Sequence, residues 1–356
     1  MQNKKSVSYA DCINKALIYS LKKYKNLYCC GLGINDPKRI FSTTKKLVEM
    51  FGKSRVFDTP TSENAITGVA IGASLTGMRS VVTHQRLDFF LLAMDQLVNS
   101  AAKWHYMFGE SVSVPITIRL IIGRGWGQGP THSQNLQAWF NHIPGLKVVM
   151  PTFPLDAKDL LEESIKDPNP VIFLEHRWLH SSKEIYNKKR KKAKIGKGKI
   201  CFKGKDFTII SMSYLTIEAM KAAKYLNKKF NISCEVIDLR SIKPMDWKLI
   251  FGSVNKTKRV IVLDTGYEVN SVSSEIITQL SNKFFKILKT KPTRIGMPDT
   301  PEPTSPALTE NYYTYSHNIV ENILNLMKVK HNYNITKDLK NNFPKDVPDK
   351  KYIGPF

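Results

Sequence analysis

Along the chain the apolar residues change period, and the changes mark the elements. Ser8 to Tyr24 spaces Ala10, Ile13, Ala16, Leu17 and Leu21 on one helical face, which predicts an amphipathic helix. Leu27 to Leu32 is an unbroken apolar run closing on Gly31 and Gly33, the pattern of a buried strand. A helix over Thr43 to Phe51 and a strand over Arg55 to Phe57 come next. The series continues with strand Ser80 to Thr83, helix Phe90 to Tyr106, and strands Ile116 to Ile122 and Leu146 to Met150. Helix Leu155 to Lys166 and strand Val171 to Glu175 complete it. A second unit starts at Asp206 to Ser213 and runs through helix Thr216 to Lys228 to strands Cys234 to Ile237 and Arg259 to Leu263. Strands alternating with helices predict an α/β protein of two three-layer domains, each a parallel sheet covered on both faces. The expected bounds are a first domain over 1–182, a basic linker over 183–205, a second domain over 206–327 and an exposed tail over 328–356 suited to lie on a partner.

Within the first unit, a Thr/Pro/Ser turn ends at a single acid, Glu63, and small residues follow through an apolar segment free of charge until Arg79. Glycine lowers helix propensity by about 1 kcal/mol relative to alanine, so Gly68, Gly72 and Gly77 here point to close approach of a neighbour. A carboxylate at the mouth of such a helix sits in poor solvent and suits proton exchange. The alternative is an acid favoured by the dipole of the first helical turn. Spacing by itself leaves both readings standing. Helix Phe90 to Tyr106 is apolar on more than one face, as in a subunit interface. Strand Ile116 to Ile122 ends in the glycine-rich loop Gly123 to Pro130, and His132 follows at once, titrating near neutral pH and able to donate or accept a proton.

Composition changes this picture little. The 356 residues, 42% of them hydrophobic, suffice for two cores, and no run of 18 uncharged apolar residues occurs. The polar start MQNKKSVSYAD points to a cytoplasmic protein. Cys12, Cys29, Cys30, Cys201 and Cys234 form no metal-type pair, and the adjacent Cys29 and Cys30 read as buried strand residues. A net charge of +24 raises the question of a nucleic acid or membrane partner, but the lysines are scattered along the whole chain. The densest run, Lys183 to Lys199, holds nine basic residues and Glu184, and reads as a solvated loop between domains.

Five strings, in order, give the chain a resemblance: TPTSEN at Thr59 to Asn64, DFF at Asp88 to Phe90, AMDQLVNSAAK at Ala93 to Lys103, THSQ at Thr131 to Gln134, and HIPGLKVVMP at His142 to Pro151. Together they resemble the pyrimidine-binding domain of thiamine diphosphate enzymes, most of all the beta subunit of 2-oxoacid dehydrogenases of the pyruvate and branched-chain type. VIDLRSIKPMD at Val236 to Asp246 and SSEIITQL ending at Leu280 are similar to the transketolase C-terminal domain, although Val269, Asn270 and Ser271 stand where the family usually has glycines.

The resemblance implies a cofactor, thiamine diphosphate, and roles for named residues. Glu63 matches the glutamate that hydrogen-bonds the aminopyrimidine ring nitrogen, Phe89 the aromatic that stacks on that ring, and His132 the histidine near the thiazolium. His84 and Arg86 stand where the family carries aromatic or small residues, and mark a candidate polar pocket for an acidic substrate. With the altered segment Ile34, Asn35 and Asp36, they set the chain apart from the standard pyruvate enzymes and admit a sugar-derived or otherwise unusual 2-oxoacid. The family holds Mg2+ and the diphosphate with a GDG followed by an Asn, and no GDG occurs in this chain. The resemblance therefore implies a catalytic half completed by an alpha subunit in an α2β2 tetramer, with a lipoyl acyltransferase as acceptor and neither nucleic acid nor membrane as partner. A transketolase-type transfer of a two-carbon unit to an aldehyde, or a non-catalytic subunit that keeps the fold, are the other readings.

Overall fold

The computed structural model describes residues 6–124, 127–187, 190–309 and 311–339. The first half of the chain supplies strands β1 (Ser6–Ser8), β2 (Leu27–Gly31), β3 (Val56–Phe57), β4 (Arg79–His84), β5 (Ile116–Ile122), β6 (Lys147–Val149) and β7 (Val171–His176). The second supplies β8 (Lys183–Ile185), β9 (Lys199–Phe202), β10 (Phe207–Ser211), β11 (Cys234–Asp238), β12 (Ser241–Lys243), β13 (Val260–Tyr267) and β14 (Thr293–Met297). They form two main sheets of order β12-β6-β7-β5-β4-β2-β3 and β14-β13-β10-β11-β9, with β1 and β8 as a separate antiparallel pair. The fold is α/β with two sheet-centred layers of helices, as the alternation predicts. Each sheet also carries one antiparallel strand that the alternation does not predict: β9 at the edge of the smaller sheet, and β12, which leaves the second half of the chain to pair with β6 of the first.

The central strands are buried on both faces, and so their apolar runs are continuous rather than alternating. The helix Tyr9–Lys23 starts where the Ser8 hydroxyl accepts from Asp11 N, and it packs on the helix Pro154–Lys166. That second helix ends where Arg79 donates to the carbonyls of Ile165, Lys166 and Asp167, satisfying groups a helix C-terminus leaves open. Cys29 and Cys30 lie on β2 as expected, and burial pushes both thiols up to about 12.

Four expectations need correction. The Thr43 to Phe51 helix shrinks to Leu47–Phe51, because Arg39 to Ser42 and Lys46 all have left-handed φ values of 44° to 70°. Left-handed backbone costs roughly 1–2 kcal/mol per residue, and here burial of Ile40 and the Arg177 guanidinium 4.2 Å above the Phe41 ring offset part of it. The Phe90 to Tyr106 helix is a succession of short turns instead: Leu87–Phe90, a 3-10 turn at Leu91–Ala93, a π segment at Gln96–Ala101, and Trp104–Met107. It is wound around a tight contact, since a Cβ added at Gly68 would lie 3.3 Å from Gln96 Oε1. The basic segment is a solvated loop only in part, with Lys183, Lys191, Lys192, Lys194 and Lys197 exposed. It contains β8 and β9, and Arg190 is anchored to Asp159 at 2.7 Å and Asp156 at 3.2 Å. Finally, the tail begins as the packed helix Ile335–Leu339, where Ile335 is buried and Asp338 accepts from Tyr225 at 2.7 Å; residues 340–356 lie outside the described residues.

Candidate functional site

Parallel sheets leave the C-terminal ends of their strands open to a ligand, and the predicted site residues fall at those ends. Glu63 opens the helix Glu63–Leu75, which packs against Leu87–Phe90. As a residue it is 8% exposed, and among the described residues its carboxylate accepts no hydrogen bond, its oxygens keeping contact with solvent. A carboxylate left open at a strand end in this way is free to meet a ligand. Phe89, one turn beyond the end of β4, points its ring outward and is 39% exposed. His132 is half-buried, and its ring meets the Phe89 ring edge-on at 5.1 Å and 88°. Its Nδ1 is bonded to Thr131 Oγ1 at 3.0 Å, which leaves Nε2 as the nitrogen that faces outward chemistry.

The loop after β5 holds His132 in place through contacts that sequence reading did not anticipate. Arg86, buried at the end of β4, donates to Gly123 O at 3.1 Å and to Gln128 Oε1. Asp88 Oδ1 accepts from both Gln134 N and Gln134 Nε2, at 3.3 and 2.8 Å. From the second half of the chain, the Pro303 and Thr304 carbonyls accept from the fully buried Arg124. Gly129 runs so near this segment that an added Cβ would lie 2.2 Å from Thr304 Oγ1. A proline-rich string far along the chain gave no sign of this clamp; the signal present was an arginine inside a glycine-rich loop. Gly125 and Trp126 of that loop lie outside the described residues.

His84 lies apart from this constellation. Its ring packs edge-on to Phe90 at 4.9 Å, its buried Nε2 has no hydrogen-bond partner, and burial lowers its pKa to about 4, so it is neutral at pH 7.

Beneath the site a second network fixes the strand ends. Arg119 on β5 and Glu175 on β7 are fully buried and paired, Nε to Oε1 at 2.6 Å and Nη2 to Oε2 at 3.1 Å. Arg119 also reaches Thr83 on β4 and Thr43 in the left-handed loop, at 3.3 and 3.1 Å. Burial alone would raise the Glu175 carboxyl, but Arg119 and His180 hold it down at about 2. His180 donates to Glu175 Oε2 at 3.2 Å while burial lowers its own pKa to about 4; that contact is a neutral hydrogen bond at pH 7, not an ion pair. A single arginine inside the apolar string ITIRLII was the available signal.

The residues fit thiamine diphosphate on two observations: an unpartnered carboxylate for a ring nitrogen, and an outward aromatic for a ring face.

Comparison with known proteins gives the lineage. The transketolase pyrimidine-binding domain family matches residues 5–181 and the transketolase C-terminal domain family residues 196–320. The mitochondrial pyruvate dehydrogenase E1 component subunit beta of Pisum sativum is 37% identical over 84% of this chain and 84% of its own length. The acetoin:2,6-dichlorophenolindophenol oxidoreductase subunit beta of Bacillus subtilis (strain 168) is 35% identical over 90% of this chain and 97% of its own. Among solved structures, a split gene transketolase described as an inactive beta4 tetramer superposes with a TM-score of 0.74 at 20% identity, covering 91% of this chain and 99% of that one, a likeness of fold. The chain therefore belongs to the family of two-domain, transketolase-like proteins formed by the beta subunits of the 2-oxoacid dehydrogenase decarboxylating component.

Proposed function

We propose that the chain is the beta subunit of a thiamine diphosphate-dependent 2-oxoacid dehydrogenase, which decarboxylates a 2-oxoacid and passes the acyl group to a lipoyl acceptor at a site shared with an alpha subunit. The observation that carries the reading is the Glu63 carboxylate, without a hydrogen-bond partner among the described residues, on a helix packed against the Leu87–Phe90 turn that carries Phe89 to His132. Thiamine diphosphate, when bound, supplies the electron sink that decarboxylation of a 2-oxoacid requires. The Glu63 carboxyl would share one proton with the aminopyrimidine ring nitrogen, donating it when protonated and accepting from the protonated ring, and so would govern that ring's proton. Phe89 offers its face to the same ring. His132 Nε2 orients the substrate carboxylate, with Thr131 fixing the imidazole. Arg86 positions the loop that carries His132, and its charge favours an acidic substrate. His84, buried against Phe90, shapes the pocket from behind.

Mg2+ and the diphosphate belong on this reading to the alpha subunit, in an α2β2 assembly, with a lipoyl acyltransferase as acceptor. The surface supports a partner. Val69 and Leu92 are 70% and 69% exposed, Tyr106, Met107 and Phe108 are exposed beyond them, and a Cβ at Gly72 would meet nothing within 4 Å.

Calorimetric titration of thiamine diphosphate and Mg2+ into this chain alone, and into the chain co-expressed with its alpha subunit, tests the shared site: binding in the pair only is expected. In the pair, Glu63→Gln lowers decarboxylation roughly 100-fold or more, as loss of a preorganised polar contact does. Tight binding by the isolated chain, or full activity of the Glu63→Gln pair, overturns the assignment.

A further inference from the structure

A basic cleft of about 940 Å3 opens where the segment joining the two halves folds back. Residues of β8 and β9 line it, together with Phe153 and Met220. Among the described residues each of these strands is paired along one edge alone, β8 with β1, and β9 with β11 as the last strand of its sheet. An edge strand carries a row of open backbone donors and acceptors.

The charge around those edges is not balanced from within. Of the acids that line the cleft, Asp156 is held by Arg190, Lys199 and Arg240 at 3.2, 3.2 and 3.3 Å. Glu184 accepts from Leu155 N, and Asp246 from Leu249 N and Gly198 N. Lys183, Lys191, Lys192, Lys194 and Lys197 also line it, all exposed, and none has a side-chain partner among the described residues. The two family matches stop at residue 181 and resume at 196, so four of these lysines, 183, 191, 192 and 194, lie in a segment outside both.

We propose that this cleft binds an acidic, extended segment of a partner protein, added as a strand along the open edge of β9 with its carboxylates on the five lysines. Lysines beside an edge strand repel neutral or basic strands, and an acidic one converts that repulsion into attraction. The backbone edge favours a polypeptide over a nucleic acid, which binds by stacking bases on open aromatic faces; Phe153 in this cleft is covered by Lys199 Nζ at 4.3 Å. The chain's own end is unsuited, since residues 340–356 carry four lysines and two aspartates.

The test is fluorescence anisotropy of a labelled decapeptide of alternating Glu and Val with the full chain. Two competitors are used: the same peptide N-methylated at alternate residues, which keeps the charge and removes strand pairing, and a ten-nucleotide oligothymidylate. The unmodified peptide is expected to bind, and Lys191→Glu/Lys192→Glu/Lys194→Glu to weaken it by about tenfold or more. N-methylation is expected to weaken it by a similar factor. Equal competition by the N-methylated peptide or by the oligonucleotide overturns the proposal, because either shows that net charge alone is being read. Binding unchanged in the triple variant overturns the location. Lys283→Glu/Lys286→Glu/Lys289→Glu, on the helix Val272–Phe284 and just beyond its end and outside the cleft lining, is the charge-matched control, and an equal loss there also counts against the cleft.

Discussion

Glu175→Gln is the substitution that most sharply tests how the strand ends are held. It keeps the shape of the side chain and leaves Arg119 buried without its counter-charge. The Glu175 carboxyl sits at about 2 against an ordinary 4.5, a difference that corresponds to about 3 kcal/mol at roughly 1.4 kcal/mol per unit. Removing one member of a buried pair costs about 3–5 kcal/mol, which agrees. Both groups are fully buried, so solvent screening does not reduce the figure. Urea denaturation followed by circular dichroism at pH 7 should show that loss. Because the folded carboxyl titrates below the unfolded one, its contribution is complete above pH 4.5 and fades as pH falls toward 2. The gap between wild type and variant should therefore narrow to roughly half or less by pH 3. Arg119→Met/Glu175→Leu removes both charges and should recover most of the stability. A Glu175→Gln protein that loses less than about 1 kcal/mol, or whose double variant is no better than the single, would refute the reasoning.

Other variants probe the loop and the neutral histidine. Gly129→Ala sets a methyl against Thr304 Oγ1, so activity of the assembled enzyme should fall with little change in melting temperature, and Thr304→Ala should restore it; no rescue would mean that the two segments do not bear on each other. His84 is held below its unfolded value, so the unfolded chain takes up its proton first and stability drains as pH falls from 6.5 toward 4. Thermal melts of His84→Phe should lose about 2 kcal/mol less than wild type between pH 7 and 5, with His176 and His180 still contributing in both.

Local patterning carried much of this protein. The seven residues Ile116–Ile122 are buried at every position, and a sequence reader finds that strand at its observed bounds because a doubly covered parallel strand has no polar face to confuse the pattern. The helices Pro154–Lys166 and Leu215–Phe230 were legible within two residues, since each has a clear apolar stripe. Glu63, Phe89 and His132 came from motif resemblance, and the order of those motifs placed all three at strand ends in one domain.

What the sequence did not decide rests on contacts between residues far apart in the chain. The left-handed turn at Arg39 to Ser42 contradicts local preference and stands because Arg177, just after β7, covers its Phe41 and Arg119 on β5 holds the adjoining Thr43. The π segment at Gln96–Ala101 arises from a helix crossing at Gly68, which no periodicity within the segment reports. The basic run read as solvent-facing because charge pattern alone has that meaning, whereas Asp156 and Asp159 on another helix draw Arg190 inward. Likewise the edge-on meeting of Phe89 with His132, and the grip of Pro303 and Thr304 on Arg124, join residues separated by long stretches of chain. Period and propensity act over a few residues, so they determine which elements form; burial and pairing of charges act between elements, so only the tertiary structure decides which side chains face one another.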